Sequence, residues 1–316
     1  MLATPSILVE WETEAACTRA RVIAGLTELR RQLAELQPEF AAPAETIVCH
    51  DPDEAGRASL LAALAAAGGR DLWPGTLRLV SPPRRVGYYQ KKNFASGFAG
   101  NPIIVFLDSD LNIEPGWLEA LLKPFGDSRV SVLVGHTHLE ARTRFERAVA
   151  LFWLFGPRRP EPRLRTTPSL VANNCAFRRG LFARFPFPQL PTFRQACADL
   201  SWRLSASGFV LYQELGARAS HPPPRGAFFL VRAFEAGRDQ HYLDDRGGGA
   251  SLGRCRGQFA KDLNQAARRI SMRRNALQAD ALDAAAGRVL GCLYCSVKAA
   301  GYLAALARPV RAESRR

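Results

Sequence analysis

The sequence has few cysteines, and they show no pattern typical of a disulfide framework or a zinc site. Seven cysteines are scattered over 316 residues, and the one C-x-x-C pair, Cys292 and Cys295, has no second pair or histidine near it. A structural zinc ion usually takes four closely spaced Cys or His ligands, and small disulfide scaffolds carry paired cysteines. The cysteines therefore indicate a reducing compartment, in which they serve as small buried hydrophobic residues.

Three other features are missing. The N-terminus, Met1–Pro5, lacks the basic segment and the apolar core of a signal peptide, so we expect a cytoplasmic protein. The chain also has no internal repeat and no long low-complexity tract. These absences, with a hydrophobic content of 47%, favour an ordinary globular protein with a sizeable core.

Acidic residues are outnumbered, 29 to 43, which gives a net charge of +14. The surplus is uneven, because the part from Pro222 to the end holds 17 Lys and Arg against 8 Asp and Glu. A basic surface favours anionic partners such as a membrane surface, nucleic acid or phosphorylated substrates.

The first half of the chain alternates between short apolar runs and helical patterns. The runs predict strands at 6–11, 46–49, 76–80, 103–107 and 130–134, and the patterns predict helices at 15–36, 55–67, 90–97 and 115–122. This alternation predicts a doubly wound α/β sheet whose functional edge lies at the carboxyl ends of the strands. We expect a catalytic domain over 1–225 and a basic helical region over 226–316, with an exposed loop at 156–168 and a strand at 209–213.

Two acidic triplets follow predicted strands at matching places. Asp51-Pro52-Asp53 follows one apolar run and Asp108-Ser109-Asp110 follows another. Carboxylates at the end of a strand can hold a hard divalent cation, which in turn can hold a diphosphate. The other interpretation is that these residues only cap the next turn or helix. The pattern favours transfer from a nucleotide-activated substrate.

The order of several motifs resembles that of inverting glycosyltransferases of family 2. The similar segments are KKNFASG at 91–97, IIVFLDSD at 103–110, NNCAFRR at 173–179, DLSWRL at 199–204 and a histidine at 221. The resemblance implies a GT-A fold, a doubly wound mixed sheet flanked by helices, with a helical C-terminal extension. It also implies Mn²⁺ or Mg²⁺ as the cofactor and a UDP- or GDP-sugar as the donor.

The same resemblance implies roles for individual residues. Asp199 would be the catalytic base, and Asn174 and Trp202 would bind the acceptor. The metal would be held by Asp108, Asp110 and His221, and the donor by Glu10, Asp51, Lys92, Asp108, Ser109 and Asp110. The chain departs from the family in two places, since Ala198 precedes Asp199 where a second acid is usual and the first strand ends in Glu10-Trp11.

The C-terminal region has several open interpretations. The apolar stretch 289–307 suits a packed soluble helix, an interfacial helix beside basic residues, or, last, a membrane span interrupted by Lys298. We expect a membrane-associated enzyme of polysaccharide biosynthesis at the inner face of the cytoplasmic membrane, with a glycan or lipid-linked acceptor.

Two other function classes remain as alternatives. A nucleic-acid-binding protein would explain the basic charge, but aromatic residues are not interleaved with the arginine clusters. A nucleotidyltransferase would use a related fold and metal, but no basic glycine-rich loop follows the first strand. We therefore expect no nucleic-acid partner.

Overall fold

The computed structural model describes residues 1–11, 17–158, 161, 163–192, 194–224 and 226–307. The strands are β1 (Pro5–Glu10), β2 (Glu45–Cys49), β3 (Thr76–Val80), β4 (Ile103–Asp108), β5 (Asn112–Ile113), β6 (Val132–Leu139), β7 (Leu164–Thr166), β8 (Asn174–Arg178) and β9 (Leu211–His221). The helices are α1 (Arg19–Leu36), α2 (Glu54–Ala66), α3 (Tyr88–Ser96), α4 (Trp117–Leu122), α5 (Arg144–Phe152), α6 (Arg179–Arg184), α7 (Ala196–Ala206), α8 (Gly226–Arg246), α9 (Leu252–Arg273) and α10 (Ala281–Ala307).

These strands form one mixed sheet with helices around it. The strand order is β3-β2-β1-β4-β8-β6-β9-β5, and β7 pairs with β9. The four strands β3, β2, β1 and β4 are parallel, whereas β8 runs antiparallel to β4 and to β6. The predicted fold class, a doubly wound mixed sheet with a helical C-terminal region, is confirmed.

The burial of the central strands explains why their sequences are continuous apolar runs. Every residue of β1 and β4 is buried, as expected for parallel strands that are covered on both faces. Helix α1 covers part of the sheet with the stripe that its 3.6-residue period predicts, since Val22, Leu26, Leu29 and Leu33 are all in the core.

Three elements differ from the predicted ones. Strand β6 begins two residues later than expected and continues to Leu139, and β9 extends beyond its expected end at 213 to His221. Within the stretch expected to be a loop, β7 forms an exposed edge strand. The polar residues of β6 and β9, including His136, His138 and Arg218, hide these strands from a pattern based on apolar runs.

The chain divides into two compact units. Unit 1 comprises 1–138, 158–188 and 197–222, and unit 2 comprises 139–157, 189–196 and 223–316. The last boundary lies close to the expected one at 225. Unit 2 also takes in α5, which the sequence reading assigned to the first domain.

Unit 2 is held together by very close helix packing. Helices α8 and α10 approach until a Cβ on Gly301 would overlap the carbonyl oxygen of Phe234, and one on Gly237 would overlap that of Lys298. Glycine is therefore required where the backbones of α8 and α10 meet. At the other end of α10, the buried carboxylate of Asp283 lies 2.9 Å from the guanidinium of Arg147 on α5.

Among the described residues, α10 is the one helix that is long and apolar enough to cross a membrane on length and composition. The same test is passed by core helices of soluble proteins. In this structure, α10 packs against α5, α8 and α9.

Candidate active site

Three predicted donor-binding carboxylates lie at neighbouring strand ends. Strand β1 lies between β2 and β4, and Glu10 pairs in register with Cys49 on one side and with Asp108 on the other. Asp51 follows the end of β2 by two residues. Because these strands are parallel, their carboxyl ends share one edge of the sheet, and the three side chains are brought to that edge.

The carboxylate of Asp108 is fixed by two donors from α3. The ammonium of Lys92 lies 2.6 Å from Oδ1, and the hydroxyl of Tyr88 donates to both oxygens at 2.7 Å. Lys92 is buried, with its nitrogen 4.7 Å from the centre of the Tyr88 ring. Burial, followed by the negative charge of Asp108, raises the pKa of Tyr88 well above its usual value, so the phenol is a hydrogen-bond donor. Lys92 thus lies at the predicted site, where it neutralises Asp108.

The next lysine in the sequence serves a different acid. Lys91 is fully buried, and its ammonium lies 2.7 Å from Asp51 and 4.0 Å from Glu10. Adjacent helix positions point about 100° apart, so the two lysines of α3 reach two different strand ends. Asp53, the other acid of the first triplet, accepts a hydrogen bond from the Gly56 amide and caps α2. Asp53, and not Asp51, is therefore the residue that caps α2.

Asp110 differs from the other acids of the site in the contacts of its two carboxylate oxygens. Its side chain is 2% exposed, and within the described part of the chain Oδ1 has no hydrogen-bond partner. Oδ2 lies 3.4 Å from Nε2 of His221 at the end of β9. Burial raises the pKa of the Asp110 carboxyl, so this oxygen is held at an energetic cost.

Arg21, which no sequence pattern singled out, connects the segments that carry Asp110 and His221. It donates to the backbone oxygens of Asp110 and Ser220, each at 2.6 Å. These bonds join the start of α1 to the turn after β4 and to the end of β9. They hold Asp110 and His221 on one side of the site.

The charge balance of the site leaves room for a cation. Four carboxylates meet four basic side chains: Glu10, Asp51, Asp108 and Asp110 against Arg21, Lys91, Lys92 and the exposed Arg85, which lies 3.2 Å from Asp51. A diphosphate would add negative charge that these side chains do not balance. The unsatisfied oxygen of Asp110, beside an imidazole, is a suitable oxygen and nitrogen donor pair for Mn²⁺ or Mg²⁺.

The predicted metal trio is not a preformed cage. No group of three His, Cys, Asp or Glu side chains able to hold a metal is found in the described ranges. Asp108 is already occupied by Lys92 and Tyr88, which leaves Asp110 and His221. Magnesium sites built from one or two protein ligands are completed by water and substrate phosphates. The metal assignment stays a prediction, with Asp110 as its strongest member.

Helix α7 carries Asp199, the predicted base, whose carboxylate forms an ion pair on the same helix. Oδ2 of Asp199 lies 2.8 Å from Nε of Arg203, one helical turn later. Two residues earlier, Sγ of Cys197 lies 2.9 Å from the hydroxyl of Tyr89. Two positions in a helix are about 200° apart, so Cys197, not Asp199, faces α3. The base role of Asp199 stays a prediction. Trp202, the predicted acceptor residue on this helix, is 69% exposed.

The other predicted acceptor residue lies in the interior. Asn174 is fully buried, and its amide accepts from the Trp117 indole at 2.9 Å and donates to the Ala217 carbonyl at 3.1 Å. All of this bonding joins β8 to α4 and β9. Asn174 is therefore left out of the acceptor site proposed below. Ser109 is also buried, and its amide nitrogen donates to the Glu10 carbonyl.

The family model for glycosyl transferase family 2 matches residues 21–185, just over half of the chain. This chain belongs to glycosyl transferase family 2. The matched range contains Asp51, Asp108, Asp110 and both lysines of α3, whereas Glu10, Asp199 and His221 lie outside it. No curated protein matches the sequence.

Solved structures show the same fold at low identity. A mannosyltransferase from Pyrobaculum calidifontis, in complex with GDP-Man and Mn²⁺, has a TM-score of 0.53 and 16% identity over 98% of this chain and 76% of its own. GalNAc-T7 with UDP, GalNAc and Mn²⁺ has a TM-score of 0.51 and 14% identity over 84% of this chain. The match spans half of the length of that chain. A mycobacterial protein has a TM-score of 0.51 and 17% identity over 79% of this chain and 77% of its own.

Proposed function

We propose that this protein is an inverting, metal-dependent glycosyltransferase that moves a sugar from a nucleotide-sugar donor to a hydroxyl of a glycan or lipid-linked acceptor. The observation that carries the proposal is the buried, unsatisfied oxygen of Asp110 beside the acidic ends of parallel strands. A buried carboxylate oxygen is costly unless a ligand completes it. A divalent cation carrying a diphosphate is a ligand of the right charge.

The donor would bind along the ends of β1, β2 and β4. Asp51 and Glu10 are hydrogen-bond acceptors for the hydroxyl and N–H groups of a nucleoside, and Lys91 keeps both acids in place. Lys92 and Tyr88 keep the Asp108 carboxylate in one orientation. The two fold relatives that hold UDP or GDP-Man also hold Mn²⁺, which supports a UDP- or GDP-sugar and that metal.

Departure of the nucleotide needs positive charge next to the diphosphate. Asp110 and His221 would hold the cation, which supplies the charge that stabilises the leaving diphosphate. Arg21 fixes the backbone on both sides of this pair, so the ligands do not have to reorganise when the donor binds.

The acceptor hydroxyl needs a base to take its proton. Asp199 is the residue we propose, with Arg203 occupying Oδ2, so that a hydroxyl would approach Oδ1. The exposed indole of Trp202, one turn along the same helix face, is suited to stack on an acceptor sugar. Attack from the side opposite the leaving diphosphate would invert the anomeric centre.

A donor panel tests this proposal. We expect release of UDP or GDP from one nucleotide sugar in the presence of Mn²⁺ and an acceptor glycan, and loss of that release with chelator. The melting temperature should rise with the same donor and Mn²⁺ and not with duplex or single-stranded DNA. Stabilisation by DNA without any effect of nucleotide sugars would instead support the nucleic-acid-binding alternative.

We also propose that the enzyme acts in polysaccharide biosynthesis at the inner face of the cytoplasmic membrane. The basic C-terminal region and the apolar helix α10 support this location. The location is separate from the chemistry of transfer and has its own test below.

A further inference from the structure

The outer side of α10 is an apolar face with one charged residue, Arg288, at its edge, and nothing in the described chain covers it. We call it the α10 stripe, and it consists of exposed positions three or four residues apart: Leu282, Ala285, Val289, Cys292, Leu293, Ser296, Ala300, Leu303, Ala304 and Ala307. It extends along most of a helix of 27 residues, which is about 40 Å long. An exposed apolar surface of this length marks an interaction site.

The inner side of the same helix is committed to the protein. Asp283 is buried in an ion pair with Arg147 on α5, and Lys298 lies 2.8 Å from Asp262 on α9. The glycine contact with α8 brings the helix backbones together at Gly301. A helix anchored by these polar contacts cannot leave its neighbours to cross a bilayer without exposing paired charges to lipid.

Exposed charge in this region is strongly one-sided. Between residues 226 and 307, two acids are exposed, Asp245 and Asp280, against seven exposed basic residues: Arg246, Arg254, Arg256, Lys261, Arg268, Arg274 and Arg288. The remaining acids are buried or half-buried, and several pair with internal basic groups, as Asp262 and Glu235 do. A surplus of five exposed basic residues, seven minus two, therefore lies on the same unit that carries the stripe.

We propose that the α10 stripe lies on an anionic lipid surface, with α10 parallel to the membrane plane and exposed basic residues of the same unit contacting lipid headgroups. Apolar contact and attraction to anionic lipid are the two terms that hold interfacial helices at membranes. A second copy of this chain is the less suitable occupant, because two such basic surfaces would repel each other. The inference identifies the surface for the proposed membrane location and does not depend on sugar transfer.

Vesicle flotation of the full chain tests the apolar part. We expect binding to phosphatidylcholine vesicles that contain about 30% phosphatidylglycerol, and weak binding to phosphatidylcholine alone. The double variant Val289→Asn, Leu293→Asn should lower the partition coefficient about tenfold or more. Leu72→Asn is the matched control, because Leu72 in unit 1 and Val289 are both 68% exposed. Unchanged melting temperatures would show that both proteins fold.

Charge variants test the electrostatic part. Replacing Arg254, Lys261 and Arg268, which are seven residues apart on one face of α9, by Gln should weaken binding about a hundredfold, at about fivefold per basic residue. The same change at exposed Arg70, Arg179 and Arg184 of unit 1 should not. The proposal is overturned if the wild type does not float with anionic vesicles or if the stripe variant binds as well as the wild type. It is also overturned if sedimentation shows a dimer that the stripe variant breaks while vesicle binding is absent. Nucleotide release by the same samples separates this outcome from failure of the proposed activity.

Discussion

Glu114, which follows β5, offers a pH-dependent test of how the His221 side of the site is built. Its carboxylate accepts two hydrogen bonds from Arg158 at 2.8 and 2.7 Å, one from Arg218 at 2.9 Å, and contacts His138 Nε2 at 3.0 Å. Burial acts to raise the pKa of Glu114, but the bonds from Arg158, Arg218 and His138 outweigh it and lower the pKa from 4.5 to about 2. Arg218 precedes His221 by three residues on β9, so this cluster holds the strand that carries His221.

The expected stability change follows from that shift. At about 1.4 kcal/mol per pKa unit, the shift corresponds to at most about 3.5 kcal/mol. Because Arg158 is half exposed, screening by solvent reduces this to about 1–2 kcal/mol. A carboxyl whose pKa is lowered by folding contributes stability that is present above its unfolded pKa and lost as the pH falls. Glu114→Gln should therefore unfold about 1–2 kcal/mol more easily at pH 7, and the difference should shrink between about pH 5 and pH 2.

Urea unfolding at a series of pH values measures this difference. Glu119→Gln, at an exposed position of α4, is the control and should show little change at any pH. A difference for Glu114→Gln that stays constant from pH 7 to the acid end would refute the reasoning. So would a variant as stable as the wild type at pH 7.

Three further predictions concern other parts of the molecule. Gly301→Ala should lower the free energy of unfolding by about 1–3 kcal/mol, because the added Cβ would overlap a carbonyl of α8. Gly180→Ala is the control, because a Cβ there meets no atom. Equal stabilities of the two variants would contradict the close packing of α8 and α10. Lys92→Met should cost about 3–5 kcal/mol by leaving Asp108 buried without its cation, and adding Asp108→Asn should recover much of the loss in urea unfolding. Asp199→Asn should keep donor binding in calorimetry and lose transfer, while full turnover would show that this acid serves only its helix ion pair.

The acids at the strand ends could be predicted, because a strand and the residue that follows it are recognised from neighbouring positions in the sequence. Five consecutive apolar residues before Asp108 predict a buried strand, and parallel strands bring their carboxyl ends to one edge. A capping acid before α2 was also expected, with Asp51 as the candidate, and the cap is Asp53, two residues later.

The partners of those acids were not predictable. Arg21 reaches Asp110 from 89 residues away, and nothing in its own neighbourhood distinguishes it from other helix arginines. Lys91 offered a weak signal, because a second lysine beside Lys92 in a short helix suggests two buried ion pairs as much as a solvated surface. The acceptor role of Asn174 stays a prediction, because its segment fits both a ligand-binding motif and a core strand, and its burial favours the core strand.

The central claim is that Asp110 links a divalent cation to a nucleotide diphosphate. Calorimetric titration of UDP and GDP, with and without Mn²⁺, tests it on the wild type, on Asp110→Asn and on the control Asp127→Asn, an exposed acid paired with Arg129. The account predicts that Mn²⁺ strengthens binding of one nucleotide at least about tenfold in the wild type and the control, and that Asp110→Asn loses this dependence. Metal-dependent binding of the same strength in Asp110→Asn would contradict it.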